Sequence, residues 1–174
     1  MAEPDSAHTG YHGAFVRVDV ERWPGLQPWE VVRTHDAAGV LAVLPDERVV
    51  LVKQFRPAVR QVLTEIPAGL LDIEGEDALT TAGRELFEET GYRHTAIEFL
   101  GGYYPSAGSL AQYVHLFWAR VPASPEGPGE AGIDVTTEPL ERMIEAARSG
   151  RVRDGMTSLA LLMAAGRPPL ASPE

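Results

Sequence analysis

The sequence predicts an α+β fold built on a mixed sheet, and three observations carry that reading. Apolar and polar residues alternate at period 2 in several segments between positions 14 and 66, and again at about 96–121, as half-buried strands require. A single stretch in the middle, after Glu76, switches to helical spacing, and two further helical stretches come late, at about 138–149 and 155–165. Strands therefore dominate the front and middle, without the regular strand–helix alternation of a doubly wound parallel sheet.

Each element has its own signal. Residues 1–12 are small and polar and are expected to fray. AFVRVDV (14–20) and WEVVRTH (29–35) read as strands, separated by the Pro- and Gly-bearing segment 23–28. GVLAVL and VVLVKQF flank Pro45-Asp46-Glu47-Arg48, the pattern of a hairpin. VLTEI (62–66) predicts a short strand ending at Pro67-Ala68-Gly69.

Beyond Glu76, the residues Ala78, Leu79, Ala82 and Leu86 recur at helical spacing, and Gly91 stands where a left-handed C-cap is wanted. Gly83 inside this helix costs roughly 1 kcal/mol relative to alanine; close packing of the helix on the sheet would account for it. Strands at about 96–104 and 112–121 follow, then the segment PASPEGPGEAG (122–132), which reads as a flexible acidic loop. The helix at 138–149 ends at Gly150, and there is no internal repeat.

A chain of 174 residues suits one domain, or a core domain with a modest extension. Its 44% hydrophobic and 23% charged content is that of a globular protein. The net charge of -10 argues against a nucleic acid partner, whose footprint is basic. An acidic protein can still take a polyanionic substrate if metal ions bridge the two. With no cysteine there is no disulfide, thiolate zinc site or cysteine nucleophile. No apolar run reaches membrane-spanning length, and the start MAEPDSAHTG lacks the regions of a signal peptide, so a cytoplasmic location without membrane attachment is expected.

The most informative segment is GLLDIEGEDALTTAGRELFEETGY, Gly69 to Tyr92. Glu85, Glu88 and Glu89 stand three and four residues apart and share one helical face. Like charges at that spacing repel by about 0.2–0.5 kcal/mol per pair, so folding alone gives no reason to crowd them. A divalent cation does, because hard oxygen ligands are what magnesium and manganese bind. Glu85 and Glu89, one turn apart, can share a cation with Glu88 beside them. Arg84, four residues before Glu88, can hold that side chain by a charge-assisted hydrogen bond.

Read as G-x6-E-x7-R-E-L-x-E-E-T-G-Y, this segment resembles the Nudix box of hydrolases that cleave nucleoside diphosphates linked to another group. Six residues separate Gly69 from Glu76 where the common form has five, and the surplus lies in the loop, which absorbs length more easily than a helix. The resemblance implies a Nudix-type α/β/α sandwich over residues 37–174. Residues 1–36 would form a tail and β extension that makes a homodimer. It implies metal ligation by Glu85, Glu88, Glu89 and the backbone carbonyl of Ala68, with magnesium, or manganese in its place, as the cofactor.

Gln54-Phe55-Arg56 and Glu65-Ile66-Pro67-Ala68-Gly69 resemble segments of the branch that hydrolyses ADP-ribose and nucleoside diphosphate sugars. Substrate contacts are then implied for Arg56, Glu65, Pro105 and Ser106, the last two in a segment similar to Y-x-S-P-G. Ala107 stands in place of the second proline there, and Gln112 where many relatives are acidic, which opens the range of substrates beyond ADP-ribose. The base that activates water is implied to be a glutamate on a loop before a late strand: Glu130, with Glu88 as rival. Trp23 or Trp29 would stack on the nucleobase, or simply pack; His35, His94 and His115 are isolated and read as structural or exposed. The leading function is thus hydrolysis of ADP-ribose or a related nucleoside diphosphate sugar. The alternatives are removal of damaged nucleoside triphosphates and a catalytically silent nucleotide sensor.

Overall fold

The structure, a computed structural model, describes residues 3–167 and Leu170. The elements in order are β1 (Ser6–His12), β2 (Arg17–Arg22), β3 (Trp29–Arg33), β4 (Ala37–Val43), β5 (Arg48–Arg56), β6 (Gln61–Glu65) and β7 (Ala68–Leu70). After them come α1 (Ala78–Thr90), β8 (Ala96–Tyr103), β9 (Leu110–Ala111), β10 (Val114–Arg120), β11 (Asp134–Pro139), α2 (Leu140–Arg148) and α3 (Gly155–Ala164). The expected α+β class with a mixed sheet is what forms.

β4 is apolar at nearly every position and buried along its whole length, as a strand covered on both faces must be. It lies parallel to β10 and antiparallel to its other partners within a seven-stranded sheet. Helix α1 covers one face, where Ala82, Leu86 and Tyr92 meet Ala38, Val40, Ala42, Val50 and Phe117. Helices α2 and α3 cover the other, where Leu140, Ile144, Ala160 and Leu161 pack on Leu41, Val43, Val49, Leu51 and Leu116. Each fully buried valine, leucine, isoleucine or phenylalanine among them contributes roughly 1.5–3 kcal/mol by leaving water, so the two layers hold the helices firmly.

One irregularity of this sheet positions the site. β4 and β5 pair only at Val43 and Val49, next to their turn, and then part. The gap is filled by β6, which pairs with β5, and by β7, which pairs with β4. The chain between them, Ile66-Pro67, is fixed from below: Thr157 accepts a hydrogen bond from Ile66 N at 2.9 Å and donates to Asp154, the N-cap of α3, at 2.7 Å.

The first residues depart from expectation. Residues 6–12 form β1 and do not fray, and the second strand runs 17–22 where 14–20 was expected. β1 is exposed throughout, so it carries no apolar period and is held by its backbone pairing with β2. In the four-stranded sheet β1-β2-β3-β9 the interior is ionic: buried Asp19 and Glu21 are met by Arg33, at 2.8 Å for Asp19, and Trp23 donates to Glu21 at 3.0 Å. β7 and β9 are also additional to the expected strands. Gly83 is explained by the ring of His94, 2.9 Å from where a Cβ would stand, and not by the sheet. The acidic loop is tied down: the N–H groups of Glu126 and Gly127 donate to Gly91 O at 2.8 and 3.1 Å.

Candidate active site

Helix α1 is closed at both ends by its own sequence. Asp77 accepts from Thr80 N at 2.8 Å as N-cap, and Gly91, at φ 74°, turns the chain left-handed while its N–H returns to Phe87 O. Between the caps the helix presents its carboxylates in two groups.

The first group surrounds Arg84, most of which is buried. Its Nε donates to Glu76 at 3.0 Å, and its Nη1 to Glu85 at 2.6 Å and to Glu88 at 3.0 Å. Burial works against the charge, but the hydrogen bonds to Glu76 and Glu85 outweigh it and hold the guanidinium pKa well above its ordinary value. The expected Arg84–Glu88 contact is present, and the structure adds Glu76 and Glu85 to it. Arg84 is thus a hub that fixes three carboxylates.

Glu89 is the second group and, among the described residues, has no cation in hydrogen-bond reach. It is 5% exposed, and its oxygens accept from Gln54 Nε2 at 2.8 Å and from Ala68 N at 3.2 Å. Burial pushes its pKa up to about 7, against the stabilising hydrogen bonds of Gln54 and Ala68. Glu85, half-buried beside it, is also raised, again mainly by burial. The Glu85 carboxylate lies over Gly69, where any Cβ would overlap it. The first glycine of the box is therefore needed for room: it lets a helix carboxylate reach the backbone of β7.

Gln54 and Arg56 alternate on β5 and so face the same side as α1. Arg56 is gripped by Glu65 of β6, from its Nε at 3.0 and 3.1 Å and from its Nη2 at 2.5 Å. That pairing raises the Arg56 pKa, while Nη1 makes no hydrogen bond within the described residues and the side chain stays 44% exposed. Arg56 and Glu65, both expected to touch substrate, are thus also each other's partners.

The loop from Pro122 brings Glu130 to the C-terminal end of α1: its N–H donates to Glu89 O at 3.3 Å, and the residue is exposed. Pro105 and Ser106 are exposed in a turn where Ser106 Oγ is 3.2 Å from Ser109 Oγ. Trp29 reaches the same turn, its Nε1 donating to Gly108 O at 2.7 Å, so this indole joins the N-terminal sheet to the Pro105 segment. His35, His94 and His115 belong to no metal-holding group among the described residues.

The sequence alone assigns no role to Gln54, Glu76, Asp154 or Thr157. The Asp154-x-x-Thr157 spacing is a readable N-cap pattern, whereas the Gln54–Glu89 contact spans 35 positions and has no local signature.

The donor set suits a hard divalent cation. It is all oxygen, it concentrates three carboxylates on one helical face, and the missing side chain at Gly69 makes room for the Glu85 carboxylate. Among the described residues no three acidic or histidine side chains already surround a single point, because Arg84 gathers Glu85 and Glu88 while Gln54 draws Glu89 aside.

Comparison with known families gives a match to the NUDIX domain over residues 33–153. The chain belongs to the Nudix family. Its sequence is 36% identical to an ADP-ribose pyrophosphatase of Bacillus subtilis over 136 residues, covering 76% of this chain and 73% of that one. It is 32% identical over 136 residues to a methanol dehydrogenase activator of Bacillus methanolicus, covering 76% and 73%. It is 34% identical to a GDP-mannose pyrophosphatase of Cronobacter sakazakii over 140 residues, covering 74% and 72%. The matched Nudix region contains Arg84, Glu85, Glu88, Glu89, Arg56 and Glu65, and excludes most of the N-terminal sheet.

Proposed function

We propose that this Nudix protein is a pyrophosphatase that hydrolyses ADP-ribose or a related nucleoside diphosphate sugar to a nucleoside monophosphate and a sugar phosphate. One observation carries the diphosphate part of that reading: Gln54, which holds the buried box carboxylate Glu89, and Arg56, whose Nη1 makes no hydrogen bond among the described residues, are alternate residues of one strand and face the same side. Relatives named ADP-ribose and GDP-mannose pyrophosphatase support the same class.

Glu85, Glu88, Glu89 and the Ala68 carbonyl would hold a divalent cation, magnesium in our reading. When bound, it neutralises pyrophosphate charge and activates water. The protein's own groups do the rest. Arg56, aligned by Glu65, offers Nη1 to a phosphate oxygen. Pro105 and Ser106 are assigned to the sugar or nucleoside end. Glu130 takes the proton from the attacking water as the P–O–P bridge breaks and the leaving phosphate departs. It is preferred to Glu88 because Arg84 already neutralises the latter. We also assign the N-terminal sheet to a homodimer contact, since β1 is exposed along its whole length. Among the described residues no helix is long and apolar enough to cross a membrane; a cytoplasmic enzyme fits this reading.

The test is a substrate profile with magnesium against ADP-ribose, GDP-mannose, UDP-glucose and 8-oxo-dGTP. Turnover of one or more of the first three is expected. Exclusive use of 8-oxo-dGTP would select the sanitising reading, and no turnover at all the sensor. A monomeric mass by light scattering would remove the dimer.

A further inference from the structure

On the face of the seven-stranded sheet opposite α1 lies a groove of about 480 Å³, between the β5–β6–β11 edge and the corner where α2 leads to α3. Four cationic side chains line it: Lys53 of β5, Arg142 of α2, and Arg151 and Arg153 of the connection that follows. The chain as a whole carries a net charge of -10, so this is a local inversion of sign.

Little in the fold compensates these cations. Glu138 also lines the groove and pairs with Arg142 at 3.2 Å, but Lys53, Arg151 and Arg153 make no ion pair among the described residues. Asp134 stands opposite Lys53 in the β11–β5 register without a salt bridge to it. Asp154, next in sequence to Arg153, is committed to Thr157 N and Oγ1, both at 2.7 Å. Like charges brought together on one concave wall repel unless an anion sits between them.

The groove is separate from the candidate active site. Lys53 alternates with Gln54 along β5 and therefore faces the opposite side of the sheet from Gln54 and Arg56. Thr64 and Thr136 also line the groove, and Met143 and Val152 add apolar lining. Guanidinium forks beside an ammonium suit phosphate oxygens, and the volume is in the range of small-ligand sites.

We propose that this groove is a second ligand site that binds a phosphate-bearing anion, its phosphate held by Lys53, Arg151 and Arg153 and any attached apolar moiety lying against Met143 and Val152. The site does not depend on the proposed reaction, and no box residue takes part in it.

Calorimetric titration of the full chain in EDTA, with AMP and separately with inorganic pyrophosphate, tests it. Saturable binding of at least one anion is expected, with AMP the tighter if the apolar lining is used and pyrophosphate if the phosphate alone is read. Arg151→Glu with Arg153→Glu should weaken that binding by about tenfold or more, and raising the salt should weaken it in the wild type. Arg56→Ala, on the other face, should leave it in place. Thermal unfolding establishes that the double variant folds; if it does not, Lys53→Gln supplies the test, with weaker binding expected. The site is refuted if neither anion binds, if charge reversal leaves binding unchanged, or if Arg56→Ala alone removes it. All of these outcomes can be read without catalytic turnover.

Discussion

Glu85 and Glu89 lie one turn apart on the same helix, yet the fold treats them differently. Glu85 is gathered with Glu88 and Glu76 around a single guanidinium, so that much of its negative charge is met within the protein. Glu89 is more deeply buried and, among the described residues, accepts hydrogen bonds only from neutral donors, the amide of Gln54 and the N–H of Ala68. Neutral hydrogen bonds orient a carboxylate without cancelling its charge, and burial then favours its protonated form. Arg84 therefore holds a structural cluster whose oxygens are aimed, while Glu89 is the oxygen pair with most to gain from a cation. The box keeps an arginine at one end of its acidic face and leaves the other end without one.

Removing either member separates the two groups most sharply. Glu89→Gln should lower turnover by about 100-fold or more, at or beyond the top of the range for losing a group that only supports a metal ligand, with the fold retained. Steady-state hydrolysis and a far-UV spectrum check it. Arg84→Ala should cost stability as well as activity, on the order of 3 kcal/mol, because three carboxylates lose their shared cation; urea unfolding reads this.

Gln54→Leu is a finer probe. It should leave stability within about 1 kcal/mol while raising the metal concentration needed for half-activation by roughly tenfold, the signature of a residue that aims a ligand. An unchanged activation constant would return Gln54 to ordinary strand packing.

The last probe is pH dependence. Glu89 moves from an ordinary value of 4.5 to about 7 on folding, so the folded state holds a proton that the unfolded chain has lost between those two values. In EDTA its contribution to stability should therefore be highest below pH 4.5, fall as pH rises through 7, and cost up to about 3 kcal/mol above that. Glu89→Gln should flatten this slope in melting curves recorded between pH 5 and 8.

The regions differ as much in legibility as in chemistry. Helix α1 could be read to its ends because its signals are local: the apolar period, and Gly91 at the position a left-handed cap requires. The box carboxylates were legible for the same reason, as a repulsion with no folding benefit. β1 was not, since a strand exposed along its length has no apolar alternation to display and pairs through its backbone. The N-terminal sheet buries Asp19 and Glu21 against Arg33, an interior that a hydrophobicity pattern cannot show. Gly83 is a similar case: packing on the sheet was expected to explain it, but the neighbour is His94, eleven positions further on. Gln54 belongs with these: its partner comes from another element, and only the parting of β4 from β5 brings the two together.

On our reading the acidic face of α1 holds a divalent cation through Glu89. Manganese binding followed by electron paramagnetic resonance, comparing the wild type with Glu89→Gln at pH 8, tests it without reference to any substrate. Saturable binding by the wild type, weakened at least about tenfold in the variant, is the expected result. Equal affinity in the two proteins would contradict it and move the metal away from this helix.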